Sequence, residues 1–175
     1  MIGPQYQKPA QPLRGIDSAL RAWLQLPQTL RAAVPLIVMA LLWWSSCGPS
    51  PLGGQSFAVM LVHNSMHGIA YAVLGGSLLL ALTEGTARPG GTAIAAAAWS
   101  VAIATTYGAL DELHQSYVAG RVCSIADFLA DACGAAAAVA FLRARLYEDR
   151  ASAAAFPFCI LALVASVVLG TAGPW

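Results

Sequence analysis

The sequence predicts an all-α protein, a polytopic transmembrane helical bundle of about five helices, and three observations carry that prediction. Only 10% of the residues are charged while 58% are hydrophobic. Soluble domains carry roughly a quarter charged residues, so this chain lacks the polar surface to face water all round. Five apolar stretches, at 32–46, 57–82, 92–110, 124–142 and 155–172, reach or approach the ~20 residues needed to cross a bilayer. Between them, CGPSPLGGQS, TEGTARPGG, DELHQSYVAGR and RARLYEDRAS read as breaks, the first two punctuated by Pro and Gly. A net charge of +1 leaves no basic stripe for nucleic acid. The four cysteines, Cys47, Cys123, Cys133 and Cys159, show no metal-type spacing.

Taken in order, residues 1–12 form a polar, Gln- and Pro-rich tail. Residues 13–26 place Leu13, Ile16, Leu20, Trp23 and Leu24 at helical spacing, with Arg14, Asp17, Arg21 and Gln25 on other faces and Pro27 closing the pattern. That is an amphipathic helix suited to the membrane surface. The first span is short but extendable through Leu30 and Cys47. Span three can run one turn beyond its apolar part, and Ser124-x-x-Asp127 opens span four as a capping box.

Orientation follows from the cations. With five spans, the tail and loops two and four share one side. That side holds Lys8, Arg14, Arg21, Arg31, Arg88, Arg143, Arg145 and Arg150, eight of the nine Lys and Arg residues; the other side holds Arg121. The positive-inside rule therefore predicts a cytoplasmic N-terminus and a periplasmic or extracellular C-terminus.

The remaining polar residues gather at the outer ends of the middle three spans. His63, His67 and Tyr71 recur every four residues on span two, as do Asp127 and Asp131 on span four. Asp111, His114 and Gln115 share a face at the end of span three, with Glu112 beside them. At 1.5 Å per residue, His67 and Asp131 both lie on the order of 10 Å below the outer interface. Ionisable groups in hydrocarbon face the bundle interior and pair, so His67 is expected to face the acids, with Arg121 bending back to neutralise Asp111 or Asp127. Asp111, Glu112, His114 and His67 carry metal-ligating atoms, yet neither HExxH nor GxSxG occurs. No metal or cofactor is expected, and no catalytic residue is assigned.

The stretch Y-G-A-L-D-E-L-H-Q-S-Y-V-A-G-R at 107–121, followed by Ser124, Asp127 and Gly134, resembles the signature of the VanZ-like family. There D-E-x-x-Q precedes an aromatic residue, G-R, and then D-x-x-x-N and x-x-G. An upstream H-x-x-x-Y is matched by His67 and Tyr71, and the likeness covers residues 33–142. By residue it falls on His67, Tyr71, Asp111, Glu112, Gln115, Arg121 and Asp127. Two positions depart from the pattern: His63 and Asn64 stand where D-K is frequent, and Asp131 replaces the Asn.

The resemblance implies a four-helix membrane domain over residues 30–146, preceded by a cytoplasmic tail at 1–29 and followed by an added span at 147–175. It also implies the bacterial cytoplasmic membrane and an envelope role, since the name-giving member confers teicoplanin resistance. The reading expected for this chain is an outward polar pocket for a lipid-linked or cell-wall-related ligand. The alternative is a non-catalytic accessory subunit of a larger membrane complex, with spans one and five facing partners.

Overall fold

The computed structural model describes residues 14–49, 56–84, 91–121 and 123–172; the tail at 1–12, with Lys8, and Arg88 of the second loop lie outside these. Six helices form in the described residues: α1 Arg14–Leu24, α2 Gln28–Ser46, α3 Phe57–Leu82, α4 Gly91–Gln115, α5 Ile125–Tyr147 and α6 Arg150–Ala172. Helices α2 to α6 are long and apolar enough to cross a membrane, so the protein is a multi-pass membrane protein.

α3 is the hub. It packs on α2, α4, α5 and α6, while α6 lies chiefly along α5. The core joins Tyr71, Leu74 and Leu78 of α3 to Ala104 of α4 and Ala135 of α5. A second cluster joins Leu79 to Ala96, Ala97 and Val139. Lipid tails are as apolar as leucine, so burial adds little between spans, and small residues that let backbones approach supply the attraction. The α3–α5 seam does this twice. A Cβ at Gly134 would collide with the Gly68 carbonyl, and one at Gly75 would stand 2.8 Å from the Ala135 Cα.

Three boundaries differ from the hydropathy reading. α2 begins at Gln28 because Pro27, which cannot continue a helix from behind, is tolerated at its entrance. α4 runs on to Gln115, carrying Asp111, Glu112 and His114 as helical residues. α5 continues through Arg143 and Arg145 to Tyr147, where Glu148 turns left-handed (φ 52°) and ends it. Asp149 then opens α6, accepting from the Ala151 N–H (3.1 Å) and the Ser152 hydroxyl (2.7 Å), with Arg143 at 2.9 Å. These contacts, the Ser152 hydroxyl first, hold the Asp149 carboxyl below the ordinary carboxylate range.

α1 is the predicted amphipathic helix. Arg145 forks onto Asp17 with bonds of 2.9 and 2.6 Å, fastening α1 to the C-terminal end of α5. At the same end of the bundle Arg31 is buried without an acid. It donates to the Leu80 and Thr83 carbonyls (both 2.6 Å) and to that of Leu26 (3.2 Å). Those at Leu80 and Thr83 belong to the end of α3, where a helix carries partial negative charge and unpaired acceptors.

Candidate functional site

The opposite end of the bundle brings together the C-terminal ends of α2 and α4 with the N-terminal halves of α3 and α5. His67 Nδ1 lies 3.2 Å from Asp131 Oδ1, the carboxylate fully buried and the ring nearly so. His63 stands edge-on to the His67 ring, centroids 5.1 Å apart. The ladder of four-residue steps on α3 ends at Tyr71, buried with its hydroxyl unpartnered. Gly108 makes room there: a Cβ on it would press on Asp131 Oδ2 at 3.2 Å and on the Tyr71 ring at 3.3 Å.

α4 contributes the acids of its last turn. Gln115 donates to Asp111 Oδ2 at 3.0 Å and reaches Ser46 Oγ of α2 at 3.4 Å. Glu112 Oε2 accepts the Ser124 backbone N–H at 2.7 Å, so this side chain pins the start of α5. The Ser124 hydroxyl in turn accepts from the Asp127 N–H at 3.2 Å, giving Asp127 the structural position that the capping box predicts. Asp111 Oδ1, Glu112 Oε1 and Asp131 Oδ2 are buried and have no partner among the described residues. Ligand atoms of His67, Glu112 and Asp131 all fall within 4.8 Å of one another, as do those of His63, His67 and Asp127.

Two expected members stand elsewhere. The expectation that Arg121 neutralises Asp111 or Asp127 is not met. Its guanidinium donates to the Gly48 (3.0 Å) and Ser45 (2.7 Å) carbonyls, closing the C-terminal end of α2. Orphan carbonyls at the negative end of a helix compete well for a cation. His114 points away from the acids, since position 114 faces α2. It stacks on Trp43 at 4.2 Å between ring centroids, and its Nε2 is 3.7 Å from Cys47 Sγ. All four cysteines are free, and Cys47 and Cys123 are exposed.

Asn64, placed with His63 and His67 at the outer half of span two, joins the cluster, and so does Thr171, which sequence reasoning did not include. With its amide turned so that both ends are satisfied, Asn64 donates to Asp127 Oδ1 at 3.1 Å and accepts from the Thr171 N–H at 3.2 Å. α6 is thereby tied to the acids. Position 64 lies three residues before His67, on a neighbouring face, and that spacing was the available signal. Thr171 gave none, being, like Ser166, an isolated hydroxyl in an apolar span.

Beside the cluster opens a cavity of about 260 Å³ between α2, α3 and α4. Its walls mix His67, Asp111, Gln115 and Arg121 with Leu42, Met66 and Ala70. Such a space can hold a polar group by hydrogen bonds while its apolar rim accepts a hydrocarbon chain. Residues 15–146 match the family model described as VanZ/LLP1. No curated protein and no solved structure matches the chain.

Proposed function

From the premise that this chain belongs to the VanZ/LLP1 family, we propose that it is an envelope protein of the bacterial cytoplasmic membrane. In this reading its cavity receives the polar head of a lipid-linked or cell-wall-related ligand from the non-cytoplasmic side. The observation that carries it is the mixed wall, in which Asp111, Gln115 and His67 stand with Met66, Leu42 and Ala70. Carboxylates accept hydrogen bonds from hydroxyl and ammonium groups, so a sugar or amino-bearing head suits this wall. We assign a binding role and no reaction, and the resistance role of the name-giving relative is not carried over.

The test is thermal unfolding of the purified chain in mild detergent with a short-chain polyprenyl-linked amino sugar. The probe should raise the unfolding temperature of the native chain, by the linkage between binding and stability, and should raise that of Asp111→Asn much less. Equal responses would count against the cavity. A second polypeptide held at fixed ratio through purification, with no response to the probe, would favour the accessory-subunit reading instead.

A further inference from the structure

Four carboxylates, Asp111, Glu112, Asp127 and Asp131, are buried at one end of the bundle. The described cations do not balance them. Arg121 directs its donors to helix carbonyls, and His67 can supply at most one charge. Each buried carboxylate without a partner is costly. Asp111 Oδ1, Glu112 Oε1 and Asp131 Oδ2 have no partner among the described residues, and the last two belong to residues whose ligand atoms lie within 4.8 Å of each other and of His67. The Tyr71 hydroxyl, buried and unpartnered, belongs to the ring that flanks Asp131 Oδ2 at Gly108.

We infer that His67, Glu112 and Asp131 bind one divalent first-row cation, zinc foremost. One imidazole and two carboxylates form a mixed nitrogen–oxygen set of the kind zinc accepts, with metal–ligand bonds of about 2.0–2.2 Å and neighbouring ligands therefore about 3–3.5 Å apart. The 3.2 Å between His67 Nδ1 and Asp131 Oδ1 fits that spacing, and Glu112 offers an oxygen within 4.8 Å of both. Ser124 holds the other Glu112 oxygen at 2.7 Å, as a supporting hydrogen bond to a ligating carboxylate does. The neighbouring set of His63, His67 and Asp127 is the weaker candidate, because Asn64 already occupies one Asp127 oxygen and His63 is only partly buried. The inference shares the cluster with the ligand reading above but needs no lipid.

Cys47 and His114 could take up zinc adventitiously, so the experiment uses the full chain with Cys47→Ser. The purified protein is stripped with chelator, equilibrated with limiting zinc, dialysed and analysed for metal. A single zinc ion per chain is expected. Glu112→Gln and Asp131→Asn should each lower zinc affinity at least tenfold, and His63→Ala should leave it unchanged. Absence of zinc from the Cys47→Ser chain overturns the inference, as does loss in His63→Ala with retention in Glu112→Gln. Should a variant fail to fold, cobalt loaded into the Cys47→Ser chain decides. Visible bands of a nitrogen–oxygen site without a thiolate charge-transfer band support the assignment, and a thiolate band or no bands refute it. A negative zinc result leaves the amino-sugar response of the native chain unaffected, so the two ideas fail separately.

Discussion

At the scale of single residues, the His67–Asp131 pair is the most consequential contact, because each member's burial is tolerable only through the other. Removing one partner of such a pair typically costs about 3–5 kcal/mol, whereas replacing both with apolar residues is near neutral. We therefore expect His67→Leu to lower stability in detergent by that order, and His67→Leu with Asp131→Leu to recover most of it. A double variant no better than the single one would show that the pair does not act as a unit. Arg121 makes a smaller prediction. Its loss leaves the Ser45 and Gly48 carbonyls to water in place of their donor, at about 0.5–1.5 kcal/mol, and should loosen the C-terminal end of α2 as read by amide exchange. The partnership of His67 with Asp131 was legible in the sequence because depth along a helix can be counted. The destinations of Arg121 and His114 were not. Arg121 follows a loop whose course no periodicity fixes, and the choice of His114 between acids and Trp43 depends on the rotation of α4, which hydropathy does not set.

At the scale of elements, the α3–α5 seam predicts a graded response to added methyl groups. Gly134→Ala meets the Gly68 backbone, which cannot move aside, whereas Gly76→Ala meets the end of the Leu142 side chain at 3.2 Å, which can rotate. Overpacking costs about 1–3 kcal/mol and more where backbone is struck, so Gly134→Ala should be the more damaging, measured by unfolding temperature. Equal effects would mean the seam is loose. The α6 cap behaves electrostatically. Because Asp149 titrates below its usual range, it contributes to stability above the unfolded carboxylate pKa of about 3.9, and the contribution disappears as pH falls through the lower folded value. Exchange at the start of α6 should rise on acidification and in Asp149→Ala at neutral pH, and an unchanged first turn would refute the cap. Spans were readable because apolar runs are long, and so was the extra turn of α4 that carries its acids; the end of α5 was not, since Arg143 and Arg145 continue the helix past the point where hydropathy falls.

For the whole molecule, charge is divided between the two ends. Arg21 of α1, Arg31 at the start of α2, and Arg143, Arg145 and Arg150 around the link between α5 and α6 lie at one end, and Arg121 lies at the acid end. A reporter active only outside the cytoplasm should therefore work when inserted at 116–120 and fail at Asp149; activity at Asp149 would invert the proposed orientation. The family match stops at residue 146, before α6, yet Thr171 of α6 reaches Asp127 through Asn64. That link gives the molecule a blind side and an open side. α6 backs the cluster between α3 and α5, and among the described residues the cavity opens between α2, α3 and α4, with Leu42 and Met66 in its lining. A ligand is then expected to sit on the α2 side of the bundle, like a ship at a berth, and α2 shares with α3 and α4 in shaping what docks there.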